Sequence, residues 1–291
     1  MLVNASGCLD ALTAPEVVRS LDAFVTKTVT PLPREGNEPP RIAETDHGML
    51  NSIGLQNPGR ERFLADVLPR LRELGMPLWV SVGGFSATDY ASICVELADV
   101  TIELNLSCPN VDEAPESAAE IVAACRSATR LPLYAKLSPA LSDVADVARA
   151  AEAAGADGLS LVNTIRGLAL DEHTLHPRLA RGVGGYSGPA LKPIALAAVY
   201  ACRRATSLPI MGMGGVSTGR DALELISAGA SDVALGTVLF SDPDAPARIR
   251  AELRSEADAL GLDDPWEAVG AAHDSTVSGQ TTLKTPAFLP N

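Results

Sequence analysis

The sequence predicts a single-domain α/β fold, a (β/α)8 TIM barrel with long loops at its C-terminal face. Three observations predict it. Short apolar runs recur eight times, each followed by an Ala-rich segment with apolar residues at three- and four-residue spacing. Several of those segments stop at a glycine just before the next run, as at Gly155-Ala156-Asp157 and Gly229-Ala230-Ser231-Asp232. The length of 291 residues suits one such barrel. Continuous apolar runs belong to parallel strands buried on both faces.

In chain order, the expected strands are Leu2–Ala5, Ala23–Val29, Leu78–Val82, Val100–Asn105, Pro132–Leu137, Gly158–Asn163, Pro209–Gly212 and Asp232–Gly236. Helical spacing covers Arg60–Leu74, Ala87–Leu97, Glu116–Ala128, Val144–Ala154, Lys192–Ala205 and Gly219–Ala228. Two stretches, Thr30–Pro58 and Thr164–Pro189, far exceed the roughly 2–6 residues of an ordinary βα loop. They leave the second and sixth strands at the C-terminal ends, where long loops build or cover active sites. The barrel is expected over 1–273, with 274–291 a disordered tail lacking apolar periodicity.

Composition narrows the function. Hydrophobic residues make up 46% of the chain and aromatics only 4%, so the expected core is built from Ala, Val, Leu and Ile. A net charge of −13 opposes binding to nucleic acid, which depends on Lys and Arg, and to anionic membrane surfaces. No apolar run approaches the roughly 20 residues of a membrane span, and no signal-peptide pattern opens the chain. The five cysteines, Cys8, Cys94, Cys108, Cys125 and Cys202, include no Cys-x-x-Cys pair. A reduced cytoplasmic setting with no metal site is expected.

The strand ends carry the chemistry. The run Val100 to Leu104 empties into Asn105-Leu106-Ser107-Cys108-Pro109-Asn110, a thiol flanked by carboxamides just past a strand. Such a cysteine is either an inert core residue or a reactive group. Lys27 and Lys136 lie within strand patterns, where an ammonium must be paired, liganded or led out to solvent. Gly214-Gly215 and Gly236-Thr237 follow strands seven and eight. They are plain turns, or loops whose backbone N–H groups hold a phosphate. Asn51, Asn105, Asn110 and Asn163 offer paired donors and acceptors that suit a ring with alternating C=O and N–H groups.

These motifs resemble class 1 dihydroorotate dehydrogenases. The resemblance rests on Asn-Ala-Ser-Gly at 4–7, Thr-Lys-Thr-Val-Thr at 26–30, Arg-Glu-Gly-Asn at 34–37 and Asn-Ser-Ile-Gly-Leu-Gln-Asn-Pro-Gly at 51–59. It continues through Asn-Leu-Ser-Cys-Pro-Asn at 105–110, Lys-Leu-Ser-Pro at 136–139, Asn-Thr at 163–164 and Gly-Gly-Tyr-Ser-Gly-Pro-Ala at 184–190. It implies FMN-dependent oxidation of dihydroorotate to orotate in pyrimidine biosynthesis. Cys108 would be the general base, with Lys27 also in the catalytic set. Asn51, Gly54, Leu55, Asn105, Asn110, Asn163 and Thr164 would hold substrate. Ala5, Ser6, Lys27, Thr28, Asn105, Lys136, Val162, Gly188, Gly214, Gly215, Gly236 and Thr237 would contact FMN.

The resemblance also implies a homodimer. Residues 50–59 and 184–194 resemble the NAD-linked type, which works with a separate subunit carrying FAD and an iron–sulfur cluster. Asn-Ala-Ser-Gly-Cys at 4–8 instead resembles the fumarate-linked homodimers. Against the family pattern the segment after Cys108 reads as a shortened loop, which raises the alternative of a flavin-dependent paralogue acting on another cyclic amide or enoyl compound. A non-catalytic flavin-binding subunit is a further alternative from another class.

Overall fold

The computed structural model describes residues 1–106, 117–140 and 143–274. Cys108, Asn110, the segment after Cys108 and all of the expected tail except Asp274 lie outside these residues.

Twelve strands occur among the described residues: β1 (Leu2–Asn4), β2 (Phe24–Val25), β3 (Ile42–Thr45), β4 (Gly48–Asn51), β5 (Leu78–Val82), β6 (Thr101–Asn105), β7 (Leu133–Leu137), β8 (Gly158–Leu161), β9 (Ile165–Leu168), β10 (Val183–Ser187), β11 (Ile210–Met213) and β12 (Asp232–Leu235). Eight of them form one sheet in the order β1-β12-β11-β8-β7-β6-β5-β2, and all its pairings are parallel. Each of the eight lies within, or one residue beyond, a run expected from the sequence. The seam between β1 and β2 is closed by a bridge from Val3 to Ala23. Asn4 reinforces that seam: its fully buried amide donates to the Val25 carbonyl at 2.7 Å and accepts from the Val25 N–H at 2.9 Å. A side chain thus supplies the hydrogen-bond pair of a missing strand contact.

Inside the barrel, Val3, Val25, Trp79, Met211, Met213 and Ala234 form an apolar plug with Tyr134. The Trp79 and Tyr134 ring centroids are 4.5 Å apart. A larger core packs the outer strand faces against the helices, through residues such as Ile93, Ile121, Leu159, Ile210, Ile226 and Leu253. Several helices start on side-chain caps. Ser117 with Glu120 and Thr218 with Asp221 make reciprocal capping boxes.

Three differences from the expected organisation have physical causes. The Arg60–Leu74 pattern is interrupted by a π-helical stretch, Phe63–Val67, where the Leu68 N–H reaches back to Phe63. Pro69 follows at once; it lacks an N–H, and its ring crowds the preceding turn. A helix over Ala245–Ala259 escaped the periodicity reading because its buried stripe is narrow. Ala245, Ile249, Leu253 and Ala257 recur every four residues in an otherwise charged segment.

The largest difference is a second sheet. The two long insertions, expected as loops, pair with each other as an antiparallel sheet in the order β3-β4-β10-β9. Gly185 of β10 sits opposite Asn51 of β4 and Arg166 of β9. Ala43, Leu50 and Leu179 form its small core, with Tyr186 packed against them. Partners this remote in sequence leave no local periodicity to read.

Candidate active site

Between the C-terminal ends of the barrel strands and this cap lies a cavity of about 510 Å3. Its wall contains Ala5 and Ser6 after β1, Lys27 and Thr28 after β2, and Asn105 at the end of β6. Lys136 comes from β7, and Val162, Asn163 and Thr164 follow β8. Gly188 follows β10, Gly214 and Gly215 follow β11, and Gly236 and Thr237 follow β12. Asn51, Gly54 and Leu55 enter from the cap side. The structure therefore brings together every expected site residue that it describes.

A chain of hydrogen bonds links the ends of four barrel strands. Ser81 and Thr28 hydroxyls are 3.0 Å apart, and Asn105 Nδ2 donates to Thr28 Oγ1 at 3.1 Å. Asn105 Oδ1 then accepts from Asn163 Nδ2 at 3.0 Å, while Asn163 Oδ1 takes the Thr164 N–H at 2.9 Å. The Tyr90 hydroxyl fixes the backbone of Asn105 by donating to its carbonyl at 2.7 Å. Each amide has its donor and acceptor ends assigned by its neighbours, so the polar floor is oriented by the protein itself.

Lys136 is resolved as a buried ion pair. Its ammonium lies 3.3 Å from Glu103 and 3.0 Å from Ser6 Oγ, with both charged side chains almost fully enclosed. Glu103 was missed by the sequence reading, although a carboxylate two residues before Asn105 shares its inward face. Lys27, by contrast, stays open to the cavity. The surrounding walls strip water from its ammonium and, with the Arg41 guanidinium, hold its pKa below the usual lysine range against the pull of Asp10. Cys8 also lines the cavity. Burial pushes its thiol up to about 11 despite Lys136 nearby, with Glu103 pushing the same way. A thiol so held is protonated near neutrality and is no base.

The cap side is shaped by backbone. Asn51 Nδ2 donates to the Gly185 carbonyl at 3.3 Å. Gly54 takes φ 75°, and a Cβ there would fall 2.6 Å from Asn37 Oδ1. Arg34 Nε holds the Gly54 carbonyl at 3.2 Å while its guanidinium stacks over Phe85 at 4.8 Å. Asn57 ties this loop to the barrel, donating to Thr30 Oγ1 and to the Leu55 carbonyl, each at 2.7 Å.

At the opposite end, the N–H groups of Gly214, Gly215, Val216, Gly236 and Thr237 have no hydrogen-bond acceptor among the described residues. Gly214 and Gly215 take φ 123° and 76°, and a Cβ on Gly215 would strike the Lys192 backbone at 2.6 Å. A Cβ on Gly236 would meet only ordinary contacts, 3.7 Å from Ala5 and 3.8 Å from Cys8. Gly236 therefore faces open space. The Thr237 hydroxyl donates to Ser187 Oγ at 2.9 Å, joining this end to the cap. The cavity also includes Met49, Ile53, Ser217, Phe240, Asp242 and Arg248, none expected from the sequence. The apolar ones carry no local signal, whereas Asp242 and Arg248 follow the last strand, a position where a functional charge could have been sought.

The profile of the family described as Dihydroorotate dehydrogenase matches residues 1–256. The chain belongs to this family. Among curated dihydroorotate dehydrogenases, it is 44% identical over 256 residues to the catalytic subunit of dihydroorotate dehydrogenase B (NAD(+)) from Listeria monocytogenes, covering 84% of each chain. The corresponding catalytic subunit of Desulforudis audaxviator is 45% identical over 264 residues, covering 87% of this chain and 86% of that one. Ligand-free DHODH of Eimeria tenella superposes with a TM-score of 0.78 at 24% identity, over 93% of this chain and 88% of that one, a likeness of fold.

Membership of the dihydroorotate dehydrogenase family implies a flavin cofactor. The residues present fit one. A flavin nucleotide needs an anion site at one end and polar groups for its ring at the other. The cavity offers backbone N–H groups without acceptors at the first and Lys136, Ser6 and the oriented amides at the second. No helix among the described residues is long and apolar enough to cross a membrane.

Proposed function

We propose that this chain oxidises dihydroorotate to orotate with FMN as its flavin, as the catalytic subunit of an NAD-linked enzyme of pyrimidine biosynthesis. The observation that carries this reading is one cavity with an anion end and a polar ring end, in a chain 44% identical to an NAD-linked catalytic subunit.

Gly214, Gly215, Gly236 and Thr237 would hold the phosphate of FMN, with Gly188 beside them. Ala5, Ser6, Lys27, Thr28, Asn105, Lys136 and Val162 would receive the flavin itself. Bound FMN supplies the hydride acceptor. Asn51, Gly54, Leu55, Asn105, Asn163, Thr164 and Asn110 would hold the substrate ring, and the open ammonium of Lys27 would attract its carboxylate.

Cys108 is the assigned base, three residues beyond the last residue of β6. It takes the proton from C5 of dihydroorotate as the hydride leaves C6, so the pair of hydrogens departs and the C5–C6 double bond forms. A thiol of ordinary pKa about 8.5 serves near neutrality when positive charge favours its thiolate. The Cys8 thiol, held up to about 11, is a poor substitute.

Anaerobic mixing of the purified flavoprotein with dihydroorotate tests the reading, with loss of the oxidised-flavin absorbance as the expected result. Bleaching by a different cyclic amide but not by dihydroorotate would transfer the assignment to a paralogue. A protein that takes up no flavin on reconstitution would reject it. Electron delivery to NAD through a partner subunit is supported by the relatives' description as catalytic subunits. Turnover with an artificial dye but not with NAD alone is expected.

A further inference from the structure

One charged group at the cavity wall has no part in the chemistry above. Arg248 lies on the Ala245–Ala259 helix, and all three of its guanidinium nitrogens are engaged. Nε and Nη2 donate to Asp242 Oδ2 at 3.0 and 2.8 Å. Nη2 also donates to the Ser217 carbonyl at 3.2 Å, and Nη1 to Glu252 Oε1 at 2.8 Å. The other Glu252 oxygen takes the Gly219 N–H at 2.8 Å.

These contacts bridge two separate loops. Ser217 belongs to the loop after β11 that begins at Gly214, and Asp242 ends the segment after β12 that begins at Gly236. The first loop is held from its other side as well. Asp221 accepts the Ser217 and Thr218 N–H groups, each at 2.9 Å, and pairs with Lys192 at 2.7 Å. Asp242 is itself braced, its Oδ1 accepting the Asp244 N–H at 3.0 Å. A planar guanidinium with fixed donor directions suits such a joint, whereas a lysine ammonium would keep the charge but lose the fork.

We propose that Arg248 is a positioning residue that sets the spacing of the two glycine loops, giving the site its preference for a phosphorylated flavin over riboflavin. This rests on the FMN reading above. Arg248 does not serve as a free cation for the phosphate, because Asp242 and Glu252 already neutralise it. Its removal would let the loops drift and would leave two carboxylates uncompensated beside the anion. Both effects fall on the phosphate and spare the flavin ring.

Flavin-fluorescence titration of the apoprotein with FMN and with riboflavin reads this directly. Arg248→Lys is expected to weaken FMN by about tenfold or more, the scale of one charge-assisted hydrogen bond, while riboflavin affinity changes by less than about twofold. Arg248→Met should extend the loss. If the Arg248 variants fail to fold, Asp242→Ala removes the acceptor of both bonds to the second loop and should lower the FMN-to-riboflavin ratio in the same way. An unchanged ratio in whichever variants fold would overturn the proposal, as would equal weakening of both flavins. A wild-type protein that binds neither flavin would strike the FMN reading itself, and this inference with it.

Discussion

The two ends of the cavity are built by opposite means. The end proposed to hold phosphate is backbone: glycines whose N–H groups have no acceptor among the described residues, fixed by the ion pairs of Lys192, Asp221, Arg248, Asp242 and Glu252. The end proposed to hold substrate is side chain: amides and hydroxyls linked from Ser81 through Thr28 and Asn105 to Asn163, and covered by a sheet from elsewhere in the chain. A backbone site recognises charge and is insensitive to most side-chain changes. A side-chain site recognises the pattern of a ring and fails when one member is lost. Substitutions should therefore separate binding of the cofactor from reaction of the substrate.

The sharpest break is at the reacting end. Cys108→Ala should slow flavin reduction by dihydroorotate about 10²- to 10⁴-fold, the usual worth of a positioned base, with FMN content unchanged. Single-turnover absorbance at the flavin band measures it, and unaltered bleaching would remove Cys108 from its role. Next in size is the buried ion pair among the polar groups of the ring end. Lys136→Met leaves Glu103 buried without its partner and should cost about 3–5 kcal/mol of stability by urea unfolding. The Lys136→Met, Glu103→Leu double variant should recover much of that loss, since the uncompensated charge is then gone.

Glycines of the phosphate end should divide by the space they face. Gly215→Ala meets backbone and a positive φ, so its melting temperature should fall along with its FMN affinity. Gly236→Ala has room within the protein. It should change fold stability by no more than about 0.5 kcal/mol while its new methyl weakens FMN binding.

The smallest effects concern pH. Lys27 holds its proton less tightly than a free lysine, so positive charge at the substrate end fades at a lower pH than usual. KM for dihydroorotate should rise on the alkaline side, and Lys27→Met should raise KM throughout and flatten that limb. The phosphate end responds to acid. Burial alone would raise the Asp221 pKa, but hydrogen bonds from Lys192, the Ser217 N–H and Thr218 outweigh it and hold it below the usual carboxylate range. Its stabilising contribution is complete above the ordinary value of about 3.9 and is lost as pH falls through the depressed one. Asp221→Asn should therefore flatten the acid limb of stability, read by circular dichroism.

The sequence by itself determined the barrel and most of the site. Eight buried strands must be continuous apolar runs, and residues just past their ends must meet at one mouth, so Lys136, Asn105, Asn163 and the two glycine turns could be placed by position alone. Cys108 is proposed on the same ground, as a thiol just past a strand, and lies outside the described residues. What only the tertiary structure decided are pairings between segments far apart in the chain. Glu103 as the partner of Lys136, Asn4 closing the seam, Arg248 joining two loops and the cap sheet made from two insertions all depend on contacts across the fold. Local periodicity records which face a residue turns. It holds no record of what stands opposite, because that is fixed only when the barrel closes and brings distant strands side by side.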